Sequence, residues 1–582
     1  FLDDAVSYRI ILKNSAGVTQ FDKDRIASLG STQVQSFNSI AALRLRSGTT
    51  IANAAKTLGY YAAGDGGGNS FYWDGTSTAT DNAGTVIKPT SVSGAGRWLA
   101  DYPNVCNLKQ FGAKYDGSSN DTTYAIAAAA ACKRVYVTGN HTYLFDNVPI
   151  FDDSEIVFNG GAKVGLRSGG SGFAFVSTGT IGTHKNRIRI KNGRIDGSNT
   201  LLGLLSATYT DDIKLIRCRA DNLGATTILQ GQLAGFSNCS DVLVDNGYCK
   251  TALYGVSFTS CTDVLVQGGV YKSLARDGVL FYNNTTSCKA IGVHVDGYNS
   301  LAENGRAGIH FYGGYDGVAN GCTVLNSTGT TSDTGGIRFR DFYNFSVSGG
   351  IIKNASVGVL TNHIGDFTAT KEYGSICGLT IDTTVYEGIY ITAGRVVING
   401  NTIRNTTKDG ILLGTSASNS TISNNTIHDT VNTTARAIIC AANYCTIQGN
   451  VCGIDNALGG SNVPQIGYSG LFGTIDGNSF STTSAATLAI RIYSGGSAKI
   501  GANNIYGAGI TTELVNNGTE IGLLTPTVGV TNTVIAHGLG YIPNNISITP
   551  FADARVWISA GADTTNINLT ASASVLCQVR VW

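Results

Sequence analysis

The feature that most constrains this chain is a short strand repeated at nearly fixed spacing. RDGVLFYNN at 276–284 returns thirty positions later as RAGIHFYGG at 306–314. The wider pattern, Gly-[Val/Ile]-x-apolar, starts at Gly255, Gly278, Gly308, Gly336, Gly358, Gly388 and Gly410, in steps of 23, 30, 28, 22, 30 and 22 residues. A second pattern, apolar-x-x-[Gly/Asn]-x-apolar, is seen at Gly193, Gly247, Gly269 and Gly350. It continues at Asn401, Asn425, Asn450, Asn478 and Asn503, spaced 24, 25, 28 and 25 residues. Each coil therefore holds at least two short strands of period-two alternation. Gly or Asn would stand at the bends, where positive φ is tolerated. Strands in a fixed-length coil predict an all-β chain whose centre is a right-handed single-stranded parallel β-helix, a solenoid of stacked rungs. Propeller blades would be longer, about 40–50 residues. Sandwiches would not keep one register over so many coils.

Stacking turns sequence repeats into surface columns. Rungs lie about 4.8 Å apart and side chains alternate inward and outward. Val279 and Ile309 then point in, as do Phe281, Phe311 and Phe339. Leu280, His310, Arg338, Leu360, Tyr390 and Leu412 form an outward row, with Tyr282, Tyr312 and Arg340 two residues further on. Aromatic rings stack on sugars and arginines grip carboxylates in bidentate fashion. His310, Arg338, Tyr312, Tyr282, Arg340 and Tyr390 are therefore the candidate substrate-binding residues.

Composition narrows the partners. Lys+Arg is 40 and Asp+Glu 39, so no broad field favours nucleic acid or an anionic membrane. The most apolar run, AIAAAAA at 125–131, is far too short to span a bilayer. FLDDAVSYRI lacks the basic start and apolar centre of a signal peptide, and the absence of Met suggests a fragment or processed chain. The 13 Cys are scattered without a C-x-x-C pair and read mostly as buried small apolar residues.

Three segments carry a family resemblance. NLKQFGAKYDGSSNDTTYAIAAAAA at 107–131 resembles the opening of the pectate-lyase-like β-helix family, with Asp121 or Thr122 placed to cap a helix over the open end of the coil. LGYYAAGDGGGNSFYWD at 58–74 resembles a module that precedes the β-helix in bacteriophage tailspike depolymerases. GDGGG lacks the Gly-Lys-Ser/Thr of a phosphate loop. VIAHGLGYIPNNISITP at 534–550 resembles the small carboxy-terminal β domain of phage tail proteins; His537 within it reads as a turn or interface residue. The expected domains are a virion-proximal module at 1–105, the β-helix at 106–515 and a small β domain at 516–582, for trimerisation or glycan binding. The resemblance implies a homotrimeric spike joined to the phage tail through its amino-terminal region. It also implies synthesis in a bacterial cytoplasm and action on bacterial surface polysaccharide.

The long steps between strands locate the chemistry. Their extra residues include NSLAENGR at 299–306, STGTTSDTG at 327–335 and HIGDFTATKEYG at 363–374, all upstream of the same strand face. Asp277, Glu303 and Asp333 lie beside the polar stripe on the first two long coils and are the candidate catalytic residues. Asp341, Asp366, Glu372, Glu387 and Asp409 rank second. Glycoside hydrolysis needs one protonated and one ionised carboxyl, about 5 Å apart for retention and about 6.5–9.5 Å for inversion, distances that one or two rungs can supply. Hydrolysis is favoured because acids crowd the loops. A lyase acting on a uronic acid, with His310, Arg338 and Tyr390, is the alternative, and a non-catalytic glycan-binding adhesin is another. No acid cluster suggests calcium, so neither a metal nor a cofactor is expected.

Overall fold

Parallel strand ladders dominate the chain, and they arise because each rung satisfies the next rung's backbone. The computed structural model describes residues 7–27, 34–49, 53–165, 172–197, 201–223, 231–362, 373–429, 432, 434–453, 463–482, 487–507, 510–517 and, with gaps, 519–581. Two compact units emerge, Phe1–Asn222 and Leu223–Trp582. In the first, strands Ser7–Lys13 and Thr19–Ala27 form an antiparallel pair. A five-stranded sheet follows, built from Val34–Phe37, Ala54–Thr57, Ser70–Asp74, Arg97–Ala100 and Val86–Ile87 in that spatial order. It closes over Leu43, Phe71, Ile87 and Trp98. The GDGGG segment is a backbone turn: Asp65 accepts from the N–H groups of Tyr60, Tyr61, Ala62 and Gly67 at 2.7–3.1 Å.

The ladder of this unit starts at Val105–Asn107 beside the helix Thr122–Ala131. That helix buries Ala125, Ala128 and Ala129. Its expected side-chain cap is absent: Asp121 points away and accepts from the N–H of Lys114 at 2.7 Å and of Tyr115 at 3.3 Å. Cys106 and Cys132 pair in a disulfide at this end, a departure from the expectation of small apolar cysteines. The other eleven cysteines form no disulfide, and ten of them are buried.

Through the solenoid of the second unit most strands pair in parallel with the third strand after them, so a coil has three sides, and Ala307–Ser327 and Gly335–Ala355 each run through the corners as one long strand. The predicted inner stack is present. Phe236, Phe258, Phe281, Phe311 and Phe339 lie in register, with successive ring centroids 5.0, 5.3, 4.8 and 4.5 Å apart. The Gly-[Val/Ile] repeat also has a cause. A Cβ at Gly278 would sit 2.5 Å from the carbonyl oxygen of Gly308, and one at Gly358 would sit 2.3 Å from that of Gly388. Rung spacing at this corner leaves no room for a methyl group.

The Asn repeat does something other than tolerate bends. Left-handed φ falls one residue earlier, at Gly400, Asn424, Gly449 and Gly477. Asn401, Asn425, Asn450 and Asn478 point inward, each donating from Nδ2 to the Oδ1 of the asparagine one rung on, at 2.9–3.1 Å. The last partner is Asn504, not Asn503, which turns out to Asp476. The carboxy-terminal residues form antiparallel pairs, including Ile546–Pro550 with Val575–Val581, around Ile567, Leu569, Cys577 and Val579. His537, Asp366, Glu372 and most of 363–374 and 534–550 lie outside the described residues.

Candidate functional site

Register puts the predicted row on one strand face. Leu280 pairs with His310, His310 with Arg338, Arg338 with Leu360, Leu360 with Tyr390, and Tyr390 with Leu412. The row is not the open stripe that alternation alone suggests. Leu280, His310, Arg338 and Leu360 are 8, 2, 0 and 1% exposed. The first long insert accounts for part of this cover. Asn299, itself buried, accepts from the Glu303 N–H at 3.0 Å and donates to the Glu303 carbonyl at 2.9 Å, which fixes the turn. Gly305, at φ +79°, then lies so close that a Cβ there would be 2.9 Å from Arg338 Nη1. His310 and Arg338 are thus buried groups rather than surface contacts. The second row stays accessible: Tyr282 is 40% exposed, and Tyr312 and Arg340 are half-buried.

The three candidate acids are all engaged by cations. Glu303 accepts from Arg276 Nη2 at 2.8 Å, and from Arg306 Nε at 2.9 Å and Nη2 at 2.7 Å. Burial pushes its pKa up, but the two arginines prevail and hold it below the usual range. Asp277, fully buried, accepts from the Ala307 N–H at 2.7 Å, His310 Nδ1 at 3.1 Å and Arg306 Nη1 at 3.4 Å. Burial again opposes ionisation and is again outweighed, chiefly by the His310 hydrogen bond. Asp333 accepts from Arg338 Nη2 at 2.6 Å and from Asn362 Nδ2 at 2.7 Å. Burial lowers the His310 pKa against the pull of Asp277, so the ring is neutral and donates from Nδ1. Its Nε2 is buried without a hydrogen-bond partner, as is Arg338 Nη1.

A pocket of about 480 Å³ lies over this network, lined among others by Tyr254, Tyr282, Arg306, His310, Tyr312 and Arg340. Arg340 stacks on the Tyr312 ring at 4.5 Å, and Tyr282 meets Tyr312 edge-on at 5.0 Å. A larger groove, about 1040 Å³, runs over a different strand column through Leu265, Val318 and Val397. Its lining is more apolar and contains none of the candidate residues, so the smaller pocket is the candidate site. Tyr390 stands apart on a later rung, half-buried beside Glu387 and in register with Leu412. Among the described residues no group of three or more His, Cys, Asp and Glu is arranged to hold a metal ion.

Sequence reasoning missed Arg276, Arg306 and Asn299. The signal for the arginines was present, since both open the repeated motif, RDG and RAG, in the same register.

Residues 36–102 match the family model of the phage tail protein small four-stranded beta-sheet domain. The amino-terminal sheet is therefore similar to that phage tail domain. This bears out the phage-tail resemblance carried by 58–74, and the matched segment coincides with the sheet that closes over Trp98. Among solved structures, the chain is similar to a mutant tailspike protein of E. coli bacteriophage HK620 in complex with pentasaccharide. That match has 12% identity, 87% of this chain and 98% of the other covered, and a TM-score of 0.46. It is also similar to the tailspike protein gp49 of Acinetobacter baumannii bacteriophage Fri1, a capsular polysaccharide depolymerase, at 12% identity, 94% and 98% coverage and a TM-score of 0.30. The enzymatically active domain of tailspike protein 2 of bacteriophage CBA120 matches at 14% identity, 96% and 81% coverage and a TM-score of 0.29. A search of the curated proteins found no match.

Proposed function

We propose that this chain binds and cuts a bacterial surface polysaccharide as a phage tail component. The observation that carries the reading is the pocket over 254–340, where two arginines and three tyrosines face one cavity and every nearby candidate carboxylate is already paired. Unlike a solvated face, this lining is held in place from beneath. Arg306 and Arg340 take an acidic group of the glycan, and Tyr282 and Tyr312 pack on ring faces. Asp277, Glu303 and Asp333 serve as positioning residues for the cations, each held by hydrogen bonds from an arginine or from His310. Hydrolysis is the proposed reaction, with the chain assembled as a homotrimer on the virion tail after synthesis in the bacterial cytoplasm.

Elimination is the second reading, favoured by the Asp277–His310 pair and the unpartnered Nε2 above it. There His310 takes the proton beside a uronate carboxylate, the electron pair forms a ring double bond, and the glycosidic oxygen leaves, taking a proton from water. The test is a panel of purified capsular polysaccharides followed by viscosity, new reducing ends and ultraviolet absorbance. Hydrolysis gives reducing ends without absorbance; elimination gives both. Arg340→Ala should weaken polysaccharide binding at least about tenfold, as expected for a charge-assisted contact. If no polysaccharide is retained or shortened, the reading fails.

A further inference from the structure

The rungs beyond the pocket carry a second carboxylate constellation. Gly388 N–H donates to the Asp409 carbonyl at 3.1 Å, and Ile389 pairs with Ile411, so Glu387 and Asp409 occupy the same column on adjacent rungs. That column is the one that holds Asp277. Columns at rung spacing put neighbouring side chains about 4.8 Å apart, close to the separation of about 5–5.5 Å used by retaining glycosidases.

The two acids are held differently. Asp409 accepts from the Arg436 N–H at 2.9 Å and Nε at 3.0 Å, and Arg436 is steadied by the Tyr493 hydroxyl at 3.2 Å. Glu387 is met by its own backbone N–H and by Lys408 Nζ, which lies 3.9 Å from Oε1 and is seated over the Tyr386 ring at 4.5 Å. Glu387 is 5% exposed and its Oε2 is buried without a hydrogen-bond partner. A buried carboxyl oxygen left bare costs stability unless it serves something. Burial pushes the Glu387 pKa up and prevails over its own backbone N–H and Lys408, which pull it down, with Asp409 adding a smaller push upward. Asp409 is likewise raised by burial, against the pull of Arg436. Here too the outer row reopens: Tyr390 and Leu412 are half-buried where Leu280, His310, Arg338 and Leu360 are covered.

We infer that Glu387 and Asp409 are the acid and nucleophile that cleave a pyranosidic bond of the polysaccharide, with the 254–340 pocket holding the same chain further along. Four rungs separate Asp277 from Glu387 along that column, roughly 19 Å at the usual spacing. The Asp409 carboxylate attacks the anomeric carbon, the bond to the glycosidic oxygen breaks, and that oxygen takes the Glu387 proton. Water, giving a proton back to Glu387, then releases the sugar from Asp409. The inference rests on the depolymerase reading and adds a reaction centre to it.

The test uses full-length Glu387→Gln, Asp409→Asn and Asp409→Gly on whichever capsular polysaccharide the wild type shortens. Turnover should fall about 1000-fold in the first two, with polysaccharide retention and the unfolding midpoint unchanged. Azide should restore cleavage to Asp409→Gly and yield a glycosyl azide, which a merely structural role for Asp409 would not produce. Wild-type turnover in Glu387→Gln or Asp409→Asn overturns the inference and leaves the depolymerase reading intact. Loss of activity only in step with a falling midpoint, with no azide rescue, also overturns it. An ultraviolet-absorbing wild-type product overturns it in favour of elimination. A wild type that shortens nothing overturns both readings.

Discussion

His310 shows how burial converts one side chain into a pH sensor of the fold. In the unfolded chain its imidazole titrates near pH 6.5. In the folded chain burial lowers that pKa, despite the opposing pull of Asp277. Below about pH 6.5 the unfolded state therefore binds a proton that the native state refuses, and stability falls as pH falls. The loss is at most about 1.4 kcal/mol per pH unit and ends once the folded-state pKa is passed. Asp277 adds in the same direction at lower pH, because its depressed pKa makes its contribution vanish on protonation. Unfolding midpoints measured from pH 7.5 to 5 should slope less in His310→Gln than in the wild type; equal slopes would exclude this account. Gly305 makes a second residue-level case. Alanine there must adopt φ +79° and crowd Arg338 Nη1. Gly305→Ala should cost about 1–2 kcal/mol in chemical denaturation, with weaker polysaccharide retention as the insert lifts.

At the scale of the element, the asparagine ladder is a chain of dependencies. Asn450 accepts from the Asn425 N–H and Nδ2 at 3.0 and 2.9 Å, and donates to the Ile422 carbonyl and to Asn478 Oδ1 at 3.0 and 2.9 Å. Asn450→Ala removes the acceptor of the Asn425 N–H and Nδ2 and the Nδ2 donor to the Ile422 carbonyl, while Asn478 Oδ1 keeps the Asn450 backbone N–H at 3.0 Å. Since each buried orphan costs about 1–3 kcal/mol, the variant should lose about 3 kcal/mol or more in urea unfolding. Exposed Asn503→Ala should be close to neutral. The contrast also shows what the sequence made legible. Coils, inner Phe stack and register of the outer rows follow from period and alternation, because a slip of one residue would turn every apolar side chain outward. Alternation could not show which Asn of the Asn503–Asn504 pair faces in, since both fit a bend. Nor could it show that an insert covers His310 and Arg338, because the path of a loop has no period. The arginines clamping Glu303 were visible as letters, but their pairing depends on where that insert lands.

For the whole molecule, charge balance separates contact from steering. With 40 basic and 39 acidic residues the formal net charge is +1, so the chain offers a distant polyanion almost no attraction. The exposed Arg–Asp and Lys–Asp pairs along the rungs, such as Lys272 with Asp296 at 3.7 Å, cancel locally. What remains for an acidic glycan is the short-range grip of Arg306 and Arg340 in a confined pocket. Screening acts over about 10 Å at 0.1 M salt and about 3 Å at 1 M, and partly buried pairs are screened least. Binding of an acidic capsule should therefore fall only a few-fold between 0.05 and 0.5 M sodium chloride, chiefly through faster dissociation. Removing both arginines should abolish the acidic preference at every salt concentration. Biosensor kinetics on immobilised acidic and neutral capsules measure both quantities. A steep salt dependence carried by the association rate would mean that a surface field, and not this pocket, selects the polysaccharide.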